Sequence, residues 1–462
     1  MSHPVVRSKW SLDPVLMMLG ALALAVALTW LIPSGKFERT AKGLVKPDTF
    51  QILPKESDWT ALVPGKAEDA KKVRPASPLA IVTAIPAGME RAAGLIFMIT
   101  ALGGMFGVLR ATGTLEAAIE RLLVVTGGRV ALLTPVLMLV ISAGGSFLGL
   151  ISEYLLIIPI FLALAKRLGL DGMFGFAVVT VSAKIGYIAS VTNPVILVVA
   201  QPIAGVPVFS GLTFRLVVWL VFMAVGIAFV LRGARGHLSQ PVLATGAEKL
   251  SGRHVAIVLL MIGCVVILIC GAWQWHWRDM DFAAVYVSLG ALIAACAGIG
   301  PRAAAKHFVD GMKSMVLAGL LVGMAKGVEV VLSDGQILDT IVNVLASFAR
   351  GLPPALVGAA LVLIEMFLGL LIPSGSAKAA LSMPILVPIG HMAGVSGQVV
   401  VLAFVLGNGL INLFAPTSGM LLAYLATAEI SYTQWFRYVL PLFGILTLLA
   451  LVAVTVAVWT GL

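Results

Sequence analysis

Two apolar stretches, one in each half of the chain, are interrupted by small polar residues at matching points. In the first half Gly144-Gly145-Ser146 leads into Ser152-Glu153-Tyr154, and Ser190-Val191-Thr192-Asn193-Pro194 follows. In the second half Ile372-Pro373-Ser374-Gly375-Ser376 leads to Lys378, and Ala415-Pro416-Thr417-Ser418-Gly419 follows. Broken backbone at membrane depth is tolerated only where it is buried in protein or lines a cavity. Two such breaks in corresponding positions of two halves mark the binding site of a secondary transporter.

The membrane enters through composition. Of 462 residues, 60% are hydrophobic and 11% charged, against about 25% charged in soluble domains. Stretches of spanning length recur at 12–32, 92–109, 212–231, 255–272, 282–299, 314–332 and 436–460. The first is longer than a signal-peptide core and has no Ala-x-Ala exit, so it reads as a retained helix. The formal charge of +10 sits in loops between spans, where membrane proteins place it, and no nucleic-acid partner is expected. Cys264, Cys270 and Cys296 all fall in apolar spans without a CxxC pair, which supports neither a metal site nor a disulfide framework.

The halves repeat each other. Gly88-Met89 recurs as Gly311-Met312, and Phe214-Arg215 as Phe436-Arg437, at separations of about 222 residues. Thr112-Gly113 with Ile119 matches Asp334-Gly335 with Ile341, and Ser146 matches Ser374 with a few residues absorbed at the break. Residues 1–79 then form an N-terminal helix and a long periplasmic loop, 80–235 the first repeat, 236–301 a cytoplasmic linker with two connecting helices, and 302–462 the second repeat. Lys and Arg in short loops set orientation. Arg7 and Lys9, then Arg232, Arg235, Lys249 and Arg253, then Arg302, Lys306 and Lys313, are all placed in the cytoplasm. Repeat one therefore begins outside and repeat two inside, so the repeats are inverted, the architecture of alternating access.

Each repeat contains a re-entrant hairpin and a broken crossing. In repeat one, 130–144 and 154–165 form the hairpin and 173–203 the crossing, broken at 190–194. In repeat two, 353–390 is the hairpin and 399–427 the broken crossing. Leu115 to Leu123 reads as a short interfacial helix, with Leu115, Ile119 and Leu122 on one face and Glu116 and Glu120 on another. The fold expected is all-α and polytopic, with hairpins and broken helices moving against a scaffold as an elevator.

Helix N-termini aimed at a cavity carry about half a positive charge each, which suits a carboxylate. Carbonyls freed by unwinding, with hydroxyls and amide oxygens, suit Na⁺ or similar hard cations. The substrate residues expected are Ser146, Glu153, Asn193, Ser374, Ser376, Lys378, Thr417 and Ser418. The ion residues expected are Ser190, Thr192, Asn193, Asn412 and Thr417. Glu153 and Lys378 are ionisable groups inside the hairpins, and such groups face a cavity or a partner. Glu153 suits a substrate ammonium or guanidinium, or a coupling proton. Lys378 suits a carboxylate, and the structural alternative is that the two pair with each other or sit near the rim. Lys184 reads equally as snorkelling to the cytoplasmic surface. Lys326 and Glu329 form an i,i+3 pair, read as structural, and Glu365 also interrupts an apolar run. Trp273, Trp275 and Trp277 fit an interfacial aromatic belt.

An enzyme needs a catalytic constellation within the spans, but the six histidines (His3, His237, His254, His276, His307 and His391) lie near ends or loops. No G-x-x-x-x-G-K-[ST] motif is present, so an ATP-driven pump would need another subunit. A channel differs from a carrier in showing no obligatory exchange.

The breaks, together with Ala200-Gln201-Pro202-Ile203-Ala204-Gly205-Val206-Pro207-Val208-Phe209-Ser210-Gly211, Ile372 through Pro384, and Asn412 through Gly419 ahead of Trp435, resemble the YfcC family of the ion transporter superfamily. That family is related to DcuC-type dicarboxylate carriers and, more distantly, to the AbgT and divalent-anion symporter folds. The resemblance covers most of the chain. It implies a basic amino-acid antiporter or a C4-dicarboxylate carrier in the bacterial inner membrane, with bilayer lipid and a small molecule as partners and, by analogy, a homodimer. It implies no cofactor beyond coupling to Na⁺ or H⁺. The family usually has paired acids in the first hairpin, where this chain has Ser152-Glu153, and an apolar residue where Lys378 stands. Losing an acid and gaining a base favours a carboxylated substrate over a dication such as ornithine.

Overall fold

The computed structural model describes residues 14–462 except 42–43, 47, 57–58, 64, 66–71, 116, 119–120, 122–129, 235–250, 276 and 278. Arg7, Lys9, Arg235 and Lys249, used above for orientation, therefore lie outside the described residues, as do most of the Leu115–Leu123 segment, His3, His237 and His276. The described chain is helical nearly throughout, and seven of its helices are long and apolar enough to cross a membrane.

The first half opens with α1 (Pro14–Leu31), α2 (Ala80–Arg91) and α3 (Ala93–Ala111). A hairpin follows. Its first arm is α4 (Val130–Ala143), which widens into a π turn over Gly144–Leu148. A 3₁₀ turn over Ser152–Leu156 leads to its second arm, α5 (Ile158–Arg167). The crossing is broken into α6 (Gly172–Ile188) and α7 (Pro194–Ile203), and α8 (Leu212–Arg232) closes the half.

After α9 (Gly252–Gln274) the order of elements recurs. It runs α10 (Asp279–Ala297), α11 (Pro301–Lys313), α12 (Val316–Asp334) and α13 (Leu338–Ala349). The second hairpin is α14 (Pro354–Leu371) with α15 (Gly375–Met392). The second broken crossing is α16 (Gly397–Ile411) with α17 (Gly419–Ala428), and the 29-residue α18 (Tyr432–Thr460) ends the chain. Two helices, α2 and α11, were not foreseen. Both are short, and α11 buries none of its residues, so neither has the long apolar run that marks a span.

Local chemistry sets these boundaries. Asp171 caps α6 by accepting from the Phe174 N–H at 2.8 Å, Ser396 caps α16, and Ser431 with Gln434 forms a capping box at α18. Such caps satisfy amide donors that have no partner inside the helix.

Packing comes in matched pairs. Helix α2 lies on α12 as α3 lies on α11, and α1 lies on α12 as α10 lies on α3. Each hairpin's second arm rests on the other half's post-break helix, α15 on α7 and α5 on α17. The two pre-break helices, α6 and α16, cross at the centre. Small residues permit these approaches. A Cβ at Gly88 would fall 2.1 Å from the Gly323 carbonyl oxygen, and one at Gly409 would fall 2.4 Å from Ile188 Cα.

The 33–79 stretch is bound to the second half. Ser34 Oγ donates to the Gly335 carbonyl at 2.8 Å, and Arg39 Nη2 pairs with Asp339 at 3.0 Å. Gly35–Lys36 and Gln51–Ile52 form a short antiparallel ribbon. Trp30 Nε1 donates to the Ala76 carbonyl at 2.8 Å, which ties the far end of the loop to α1.

Candidate functional site

Hairpin one and the first break are sewn together by side chains. Ser146, fully buried on the π turn, donates through Oγ to the Ala189 carbonyl at 2.8 Å and accepts from the Val191 N–H at 3.1 Å. Its carbonyl accepts from Val191 N–H at 3.0 Å and Thr192 N–H at 3.1 Å. Thr192 Oγ1 donates to the Phe147 carbonyl at 3.0 Å. Ser190 Oγ donates to the Tyr187 carbonyl at 2.7 Å and accepts from Asn193 Nδ2 at 3.2 Å. Asn193 Oδ1 accepts from the Val195 N–H at 3.0 Å and so caps α7, with Pro194 at the first helical position. Proline there lacks only a donor that would be unpaired anyway. Buried Arg215 reaches in from α8, with Nε donating to the Val191 carbonyl at 3.2 Å and Nη2 to the Ser210 carbonyl at 2.5 Å.

The second break follows the same plan with different residues. Thr417 Oγ1 donates to the Leu370 carbonyl of α14 at 2.8 Å, and Asn412 Nδ2 to the Asn408 carbonyl at 2.7 Å. Ser418 caps α17, and Ser374 caps α15 by accepting from the Ala377 N–H at 3.4 Å. Ser376 is exposed at the hairpin tip. Three helices, α7, α15 and α17, thus begin at the breaks or hairpin tips, capped by Asn193, Ser374 and Ser418.

Tyr187 and Asn408, singled out by neither break motif, join the two broken crossings. Asn408 Nδ2 donates to Tyr187 Oη at 3.0 Å, and Asn408 Oδ1 is buried without a hydrogen-bond partner. A Cβ on Gly375 would sit 2.9 Å from Tyr187 Oη and 3.3 Å from Asn408 Nδ2. The tip of hairpin two and the ends of α6 and α16 therefore meet at one point. Asn408 carried a signal in the sequence, being an amide inside an otherwise apolar span.

The two hairpin charges do not pair with each other. Lys378, fully buried, donates through Nζ to the Glu365 carbonyl at 2.8 Å and lies 3.5 Å from Glu365 Oε2. Ser382 Oγ holds Glu365 Oε1 at 2.6 Å, and the Phe404 ring lies 5.7 Å from the ammonium. The expectation that Lys378 holds a carboxylate directly thus meets a nitrogen already engaged by its own hairpin. Glu153 is also buried, and its Oε2 accepts from the Ile151 N–H at 2.8 Å and the Ser152 hydroxyl at 3.4 Å. Tyr424 of α17 donates its hydroxyl to the Ile151 carbonyl. Lys184 does not snorkel. It is 3% exposed, and its Nζ stands over the Tyr424 ring, 5.6 Å from the centroid. The Lys326–Glu329 pair forms as read, at 2.7 Å.

Among known proteins, the chain is 29% identical to the "Putative basic amino acid antiporter YfcC" of Escherichia coli, over 96% of each chain. It is 26% identical to an uncharacterized protein of Haemophilus influenzae over 95% of each. The solved YdaH transporter of Alcanivorax borkumensis covers 98% of this chain with 99% of its own, at a TM-score of 0.45 and 15% identity. Over residues 13–459 the sequence fits the profile of a transporter family, and the chain belongs to it: the DcuC family, the C4-dicarboxylate anaerobic carriers.

Proposed function

We propose that this chain is a secondary active transporter of the bacterial inner membrane that moves a small carboxylated metabolite by alternating access. The observation that carries the reading is the meeting of the α6 end, the α16 end and the hairpin-two tip at Tyr187, Asn408 and Gly375. Three capped helix N-termini open from the surrounding breaks and tips, and each favours an anion. The substrate's carboxylates meet amides and hydroxyls around Ser146, Asn193, Ser374, Ser376, Thr417 and Ser418. The coupling cation, Na⁺ or H⁺, uses oxygens of Ser190, Thr192, Asn193, Asn412 and Thr417, with Asn408 Oδ1 a further buried acceptor. The matched packing of the two halves and the basic loops at the end of the first repeat and the start of the second support inverted repeats, and hairpins carried by broken helices support an elevator motion against α1–α3 and α10–α12.

A second reading, exchange of basic amino acids, is favoured by Glu153. Its carboxylate is held only by its own turn and forms no ion pair among the described residues. The name of the Escherichia coli relative, "Putative basic amino acid antiporter YfcC", points the same way. Counterflow into proteoliposomes separates the readings. Radiolabelled succinate is accumulated against internal succinate under the first, and arginine against internal arginine under the second. Leakage of either probe without an exchange partner would mark a channel and end both.

A further inference from the structure

Among the described residues, the buried charged groups away from the 33–79 loop are Glu153, Lys184, Arg215, Glu365 and Lys378. Cations outnumber acids, and each cation but one has an acceptor for its N–H groups among the described residues. Lys378 is held by Glu365, and Arg215 by the carbonyls of Val191 and Ser210. Among the described residues Lys184 makes neither an ion pair nor a hydrogen bond, and its ammonium stands over the face of Tyr424. A ring face attracts an ammonium but does not replace a counter-ion.

Lys184 lies on α6 one turn before the helix ends at Ile188, ahead of the first break. Thr180, four residues earlier, stands on the same face of α6 by helical spacing. Thr180 Oγ1 is buried there without a partner, and the hydroxyl of Tyr286, on α10, is buried without one too. Unpaired buried polar groups are rare and call for a specific explanation. A buried ammonium without an anion is disfavoured unless a ligand supplies the anion.

We infer that Lys184, assisted by Thr180, is the fixed counter-charge that receives a carboxylate of the transported substrate. The inference rests on the reading of the substrate as carboxylated. It assigns that recognition to α6 and Tyr424 rather than to Lys378. Tyr424 links this cation to hairpin one through Ile151, so seating the carboxylate also engages the hairpin tip that carries Glu153.

The test uses the full chain, as Lys184→Met, Lys184→Arg and wild type, with succinate, arginine and agmatine (arginine without its carboxylate) as probes. In Lys184→Met the half-saturating concentration for a carboxylated probe should rise at least about tenfold, equivalent to about 1.4 kcal/mol, while Lys184→Arg retains part of the affinity. Methionine also removes an unpaired charge, so the ligand-free variant should melt at a higher temperature than wild type and lose the shift produced by the probe. An unchanged half-saturating concentration, or a Met variant that fails to fold, would make Lys184 a structural residue and overturn the inference. Wild-type exchange of agmatine as well as arginine, with none of succinate, would instead overturn the carboxylate reading itself.

Discussion

The Glu365–Lys378 pair offers the sharpest energetic test. Both side chains are buried, at 1% and 0% exposure. Lys378→Met leaves a carboxylate in the hairpin core with only the Ser382 hydroxyl as donor. Breaking a buried pair in this way costs about 3–5 kcal/mol, because the remaining charge is uncompensated. The double variant Lys378→Met with Glu365→Leu removes both charges at similar volume. Ser382 then keeps an acceptor, since its hydroxyl already donates to the Lys378 carbonyl at 2.9 Å. Paired replacements of this kind are neutral or stabilising by about 1–4 kcal/mol. Unfolding half-lives and apparent melting temperatures of detergent-purified protein read the difference whether or not unfolding is reversible. Lys378→Met should melt several degrees below wild type, and the double variant should recover or exceed wild type while keeping its half-saturating succinate concentration. A stable single variant would refute the ion-pair energetics. A folded double variant with lost succinate affinity would return Lys378 to the substrate.

Asn193→Ala removes the α7 cap, worth about 1 kcal/mol, and the bond to Ser190; Thr417→Ala removes the tie to Leu370, about 0.5–1.5 kcal/mol. Both should leave folded yield intact and abolish exchange, and full exchange in both would place the site elsewhere. Reporter fusions should find the N-terminus cytoplasmic and Leu462 periplasmic; a cytoplasmic C-terminus would end the inverted-repeat reading. Gly409→Val drives a side chain into Ile188, so an overpacking loss of about 1–3 kcal/mol should appear as reduced monodisperse protein on size exclusion.

The positions of the breaks were legible because Pro, Gly and Ser at membrane depth admit few other readings. The expected 190–194 and 415–419 fall on the observed gaps between α6 and α7 and between α16 and α17. What the polar residues do there was less legible. Asn193 before Pro194 and Ser418 before Gly419 carry an N-cap signature, yet a cap and a ligand use the same atom types. The partner of Lys378 is thirteen residues away on the opposite arm, a distance fixed by the hairpin's register and not by helical spacing. Tyr187 and Asn408 lie 221 residues apart, so only the crossing of the two halves brings them together. Snorkelling is one of two equal readings of Lys184, and its neighbours decide between them. Those neighbours bury α6 from Phe174 to Ile188, which holds its side chain inside the protein in this state.

One departure from the matched packing bears on the transport cycle. Post-break helix α17 packs against scaffold helix α12, while among the described residues no comparable packing joins α7 to α3. Correspondingly α7 leaves Val195 and Val198 exposed, whereas Leu421 through Leu425 are buried in α17. On the proposed reading of inverted repeats, two halves in unlike settings are what alternating access requires, since the opposite state follows by exchanging their roles. Position 419 is a contact that such an exchange must break, because a Cβ on Gly419 would lie 3.4 Å from Val322 Cγ1. Cysteines at Val322 and Gly419 should therefore cross-link in the present state and stop counterflow, and reductant should restore it. The equivalent pair, Ile99 with Pro194, should react only in a fraction of molecules that grows while substrate is being exchanged. Full counterflow through the cross-linked Val322–Gly419 pair would mean that α17 and α12 move as one body, and the moving boundary would then have to lie elsewhere in the fold.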